Sequence, residues 1–144
     1  MFVLQFNRRE KRFFKTARDA ARHSDFRVKV GCCVVYKGKV ISTGYSTEKT
    51  SPTQARYNRF RHFDNKENIL DKTHSEIAAL KKIRIADVDP EKLEVYVWRE
   101  HADGTMAMSR LCPGCMRYIT SLGIRHINYT GFGTLIHEEI CGGK

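Results

Sequence analysis

Two short clusters of metal-ligating residues constrain this chain more than any other feature. The first is Thr73-His74-Ser75-Glu76; the second, 38 positions on from His74, is Cys112-Pro113-Gly114-Cys115. Zinc takes nitrogen and sulfur ligands in a tetrahedron, and a catalytic site uses three protein ligands and keeps the fourth position for water. His74, Cys112 and Cys115 supply three. The two cysteines lie three apart, so the first turn of a helix can aim both sulfurs at one ion. Glu76 sits two residues past His74, near the metal without binding it. There it can take a proton from a zinc-activated water and pass it to a leaving amine. A fold that joins the clusters starts a helix at each, at one edge of the same sheet. Both helix N-termini then point at the metal, where their positive ends favour thiolates.

Each piece also has a plainer meaning. Thr73-x-x-Glu76 is a capping box, with Thr73 as N-cap. The C-x-x-C alone is a redox pair, and His74 alone an ordinary surface histidine. Their joint occurrence favours the metal site, and a purely structural zinc more often has a fourth Cys or His nearby. Cys32, Cys33 and Cys141 lack ligand spacing and read as core or free thiols. Five cysteines, an odd count with two adjacent, do not form a disulfide framework, and C-x-x-C in a reducing compartment suits a metal or redox site.

At 144 residues the chain reads as a single domain, 1–144. A chain of this size buries about 68–70% of its unfolded surface and folds without staples. Apolar content of 41% and charged content of 29% exclude a disordered chain. No apolar run approaches the ~18 residues of a membrane span. Phe2-Val3-Leu4 is too short for a signal peptide and has its basic residues on the wrong side. These features predict a cytoplasmic protein. The net charge of +10 fits a phosphorylated or polyanionic partner, or a well-solvated surface.

The periodicity predicts a helix over 5–24, with Phe6, Phe13, Phe14, Ala17 and Ala21 on one side as a cover for a sheet. A hairpin follows over 28–46, turning at Lys37-Gly38-Lys39, its first strand buried on both faces. Residues 47–73 show no clear period, and such long loops are often functional. Pro52 followed by Thr53 and Gln54 is able to open a short helix. Further on, Arg56-Tyr57-Asn58-Arg59-Phe60-Arg61 interleaves bases with aromatics, which suits either a clamp on phosphate and base or a turn burying its aromatics. A helix over 74–86, a strand from Leu93 to Trp98, a second helix over 112–122 stopped by Gly123, and a strand over 124–130 complete the pattern. Strands joined through a helix run parallel. The tail after Gly131-Phe132-Gly133 is a short helical turn or a fifth strand; the connection is so short that such a strand must be antiparallel to the fourth. The sum is an α/β fold, a three-layer α/β/α sandwich on a mixed sheet of about five strands.

His74-Ser75-Glu76 followed by Cys112-x-x-Cys115 resembles the zinc-dependent cytidine/deoxycytidylate deaminase superfamily, whose signature is H-x-E…P-C-x-x-C. The resemblance extends to the Val30–Val35 and Lys39–Ser46 hairpin and to Gly123-Ile124-Arg125-His126-Ile127, covering about residues 28–130. Leu111 stands where the family usually has Pro, and Pro113 follows Cys112, where it still suits a first turn. Ser46 stands where many members carry an Asn that holds sugar or base. The resemblance implies Zn2+ on His74, Cys112 and Cys115, with Glu76 shuttling protons. It implies hydrolytic deamination of a base, cytosine to uracil, or adenine or guanine to its oxo product. Small size, one domain and a basic loop favour cytosine in a free (deoxy)cytidine nucleoside or nucleotide, with Ser46, Asn58 and Arg59 as candidate substrate contacts. The resemblance also implies a homo-oligomer. An antiparallel fifth strand is typical of the superfamily's free-nucleoside enzymes and of some toxin deaminases; a parallel one, reached through a further helix, is typical of its deoxycytidylate, transfer-RNA and polynucleotide enzymes. Two alternatives stay open: a deaminase acting on cytosine or adenine in single-stranded DNA or RNA, and an inactive zinc-stapled nucleic-acid-binding domain.

Overall fold

A computed structural model describes residues 2–3, 6–24, 29–47, 52–53 and 74–140. Asn7 caps the first helix, α1 (Arg8–Ala21). Its side chain accepts from the Glu10 amide at 2.8 Å, and the Glu10 carboxylate accepts from the Asn7 amide at 2.9 Å. Phe14, Ala17, Ala20 and Ala21 form its buried stripe. The hairpin β2 (Lys29–Tyr36) and β3 (Lys39–Tyr45) follows. Lys37 and Gly38 make its turn, both with positive φ (51° and 83°), as the right-handed strand twist demands of a two-residue loop.

The helix expected over 74–86 is shorter, α2 (Ser75–Leu80), and a 3-10 turn at Ile85–Asp87 follows it. Ile83, Ile85 and Val88 all pack against one core. Residues two apart face opposite sides of an α-helix, so unwinding after Leu80 lets Ile83 and Ile85 reach the same side. A 3-10 turn at Pro90–Lys92 leads to β4 (Leu93–Glu100), α3 (Pro113–Ser121), β5 (His126–Thr130) and β6 (Leu135–Glu139). Gly123, at φ 87°, is the left-handed residue that ends α3.

The described sheet has six strands, one more than expected, because Phe2–Val3 form a short strand β1. The order is β1-β6-β5-β4-β2-β3. β4 and β5, joined through α3, are parallel, with Val95 opposite Ile127 and Val97 opposite Tyr129. The tail strand β6 runs antiparallel to β5, as the four-residue connection dictates, and β1 pairs antiparallel with β6.

Two cores flank the sheet. On one face α1 brings Phe14 and Ala17 against Cys33, Val35 and Tyr96. On the other, Ile77, Leu80, Cys115 and Ile119 from α2 and α3 meet Cys32, Val34, Val95, Val97 and Ile127. Both faces need a glycine for close approach. A Cβ on Gly31 would lie 2.1 Å from the Ala17 carbonyl oxygen, and one on Gly44 would lie 2.5 Å from the Ala79 nitrogen and 2.7 Å from the Ser75 carbonyl oxygen. Gly44 thus sets α2 directly on β3.

Candidate metal centre

His74 and Cys112 occupy the N-cap positions of α2 and α3. Neither helix starts with an ordinary Ser, Thr, Asn or Asp cap; the ligands themselves stand there. Pro113 at the first position of α3 fits because no amide bond is needed at that point. It presents Cys112, whose sulfur accepts from the Cys115 amide at 3.4 Å. His74 makes no side-chain cap on α2. With His74 as N-cap, Glu76 stands at the second helical position, one short of the place a capping box requires. Thr73 lies outside the described residues.

The two clusters converge as expected. His74 Nδ1 lies 3.5 Å from the Cys112 sulfur and 3.2 Å from the Cys115 sulfur, and one donor atom from each of the three residues falls within 4.8 Å of the others. Zinc bonds of ~2.3 Å to sulfur and ~2.0 Å to nitrogen at tetrahedral angles would put nitrogen and sulfur about 3.5 Å apart, so the set fits zinc. Its proton chemistry fits as well. The Cys112 thiol is held down to about 4, first by its hydrogen bond with Cys115 and then by His74. Cys115 is pushed up, first by that same hydrogen bond, then by burial and by the charge of Glu76. The pair therefore keeps one proton between two sulfurs, and a cation of charge +2 is what would release it. Two thiolates and a neutral imidazole would cancel that charge, which suits a half-buried site.

Glu76 is 4% exposed. One carboxylate oxygen accepts a short hydrogen bond from the Ser75 hydroxyl, itself fully buried. Cys32 of β2 is fully buried, its thiol pushed up by burial and then by the charge of Glu76; it is a core residue, as expected.

Ser46 lies just beyond β3 and is 6% exposed. Its hydroxyl is 2.9 Å from that of Ser24, which also lies 2.9 Å from the Ser46 carbonyl oxygen as a donor. Asn58, Arg59 and the basic-aromatic stretch lie outside the described residues, as does Cys141. Pro52 and Thr53 are helical. Among the described residues no helix is long and apolar enough to cross a membrane.

Residues 7–130 match the cytidine and deoxycytidylate deaminase zinc-binding region. The chain belongs to that deaminase family, whose matched region binds zinc, and His74, Cys112 and Cys115 form a candidate site for it. Among solved structures it is similar to the dCMP deaminase of the cyanophage S-TIM5 in apo form, at 22% identity over 87% of this chain and 84% of that one, with a TM-score of 0.57. The same phage enzyme in complex with dCMP and dUMP is similar at 20% identity, over 87% and 83%, with a TM-score of 0.56. No curated protein matches the chain.

Proposed function

We propose that this member of the family hydrolyses the amino group of cytosine in a free nucleoside or nucleotide, with deoxycytidine monophosphate as the first substrate to test. The observation that carries this reading is Glu76: a buried carboxylate adjoining a three-ligand zinc set in a chain of this family. The antiparallel β6 favours a free nucleoside over a polynucleotide and also over deoxycytidylate, whereas the similar phage enzyme, in complex with dCMP and dUMP, favours the monophosphate.

In this reading His74 and the two cysteine sulfurs would hold zinc, which would supply Lewis acidity toward water near neutral pH. Ser75 then anchors one oxygen of Glu76. Glu76 accepts a proton from the attacking water and later gives it to the departing amino group. Water and cytosine become uracil and ammonia, and Glu76 ends as it began. The positive ends of α2 and α3 stabilise negative charge developing on the ring. A single-domain, cytoplasmic homo-oligomer belongs to the same proposal.

Ammonia release by zinc-loaded protein tests it, with deoxycytidine monophosphate, cytidine monophosphate, deoxycytidine, cytidine and single-stranded DNA and RNA compared at equal cytosine concentration. Turnover is expected on the free substrates. Turnover confined to a polynucleotide, with a steep loss at raised salt, would replace the small-molecule reading. Silence on all of them would leave a zinc-stapled binding domain.

A further inference from the structure

The parallel pair β4–β5 closes in an unusual way. Its register ends at Val97 opposite Tyr129, although both strands run on. Beyond that point the strands are joined by side-chain hydroxyls. The chain leaves β4 through a turn at residues 101–105 and folds back, with Ala107 N–H donating to the Arg99 carbonyl at 2.8 Å. It then reaches β5, where Ser109 N–H donates to the Thr130 carbonyl at 2.8 Å. The Ser109 hydroxyl lies 3.1 Å from the Val97 carbonyl and accepts from the Thr130 amide at 2.8 Å. The Thr130 hydroxyl accepts from the Arg99 amide at 3.2 Å and lies 2.6 Å from the Ala107 carbonyl and 2.8 Å from the Ser109 hydroxyl. Two hydroxyls thus satisfy backbone groups of both strands and of the segment that separates them.

This polar knot is closed to solvent: Ser109 is 6% exposed and Thr130 0%. Buried backbone groups left without partners are costly, so the segment has little freedom to settle elsewhere. It is also the segment that delivers the sulfurs. Ser109 is three residues before Cys112, Leu111 between them is buried, and Cys112 begins α3. A second tether lies outside the knot. Arg110 grips Glu138 through two 3.0 Å bonds, and Tyr129 donates to the same carboxylate at 2.8 Å.

We propose that the Ser109 and Thr130 hydroxyls are positioning residues for the metal: by stitching the split ends of β4 and β5 they fix the approach to α3, and so the placing of the Cys112 and Cys115 sulfurs opposite His74. The role is set by zinc binding and does not depend on which cytosine substrate the protein takes.

The test compares wild-type protein with Thr130→Val, Thr130→Ser and Ser109→Ala. Zinc affinity is read by competition with a chromophoric chelator, and ligand geometry by the thiolate-to-cobalt absorption of Co2+-substituted protein. Thermal unfolding is followed alongside. Thr130→Val keeps shape and removes the hydroxyl. It should weaken zinc by about 10-fold, the low end of what loss of a group bonded directly to a ligand costs, since Thr130 acts on Cys112 through the segment at Ser109, and should shift the cobalt bands. Thr130→Ser should restore affinity and spectrum to near wild type. Ser109→Ala should weaken zinc in the same direction, and it decides the matter if Thr130→Val does not fold. Variants that melt earlier yet keep wild-type zinc affinity and cobalt bands would overturn the proposal and leave the knot a packing feature. Wild-type protein that takes up no zinc would overturn the metal centre itself, and the proposal with it.

Discussion

The two faces of the sheet are covered by helices in opposite ways. Under α1 the contact is aromatic: Phe14 meets Phe6 and Tyr96 edge to face, both at 5.1 Å between centroids. Its helix has an ordinary capping box, and its stability comes from burial and local hydrogen bonds. Over the other face, α2 is only six residues long and starts on a ligand without a side-chain cap, and α3 starts on another. Buried polar side chains stand at the start of α2, Ser75 and Glu76, and beneath it, Ser42. One face stabilises the domain and the other spends stability on holding reactive groups at one spot. A helix as short as α2 is marginal by itself, and its position rests on Gly44, on the Ser42 hydroxyl donating to the Ala79 carbonyl at 2.7 Å, and on the apolar contacts of Ile77 and Leu80.

That contrast can be broken from either side. The largest effect should come from Cys112→Ser: metal analysis should find zinc well below one per chain and turnover at background, while the α1 face keeps its near-ultraviolet signal. Full zinc occupancy in this variant would mean a different ligand set. Phe14→Ala should do the converse. It should cost about 3–5 kcal/mol of stability, as buried Phe truncations do, read by denaturant unfolding, with zinc affinity unchanged at temperatures where the protein remains folded. A Phe14 variant that loses zinc in step with stability would show the two faces to be coupled.

The smallest effect concerns acid. His137 on β6 donates from Nδ1 to the Asn128 side-chain oxygen at 2.7 Å and stacks on His126 at 5.5 Å between ring centroids. Its pKa is lowered, by burial first and then by His126, against the pull of Glu94, Glu10 and Glu139. A histidine lowered in the folded state adds stability that is present above its ordinary value of ~6.5 and is lost as pH falls toward the folded value. His137→Gln should therefore flatten the fall in denaturant midpoint between about pH 7.5 and 5.5 relative to wild type. An equal slope in both proteins would remove His137 from the acid response.

What the sequence disclosed follows the range of each interaction. His74-x-Glu76 and Cys112-x-x-Cys115 are local patterns whose spacing already contains the helix starts, so ligands, carboxylate and helix orientation were all legible. The antiparallel β6 was legible because four residues cannot carry a crossover. The end of α2 was not: the apolar spacing that begins at Ile77 runs on into Ile83 and Ile85, and only their shared core shows that the helix must unwind. β1 is two residues long, below any periodicity. Ser109 and Thr130 are 21 positions apart, and nothing in a lone Ser or Thr marks it as the plug between two parting strands. Glu76 had two readings, cap and proton carrier. The cap reading weakens once His74 takes the N-cap position and leaves Glu76 one place short.

The central claim is that His74, Cys112 and Cys115 hold zinc while Glu76 moves the proton. Glu76→Gln, close in size and without a charge, separates these roles in one paired measurement of zinc content and ammonia release from the best cytosine substrate. The account predicts one zinc per chain, as in wild type, with turnover lower by about 10²–10⁴-fold, the scale of a lost general acid–base. Wild-type turnover with full zinc would contradict it.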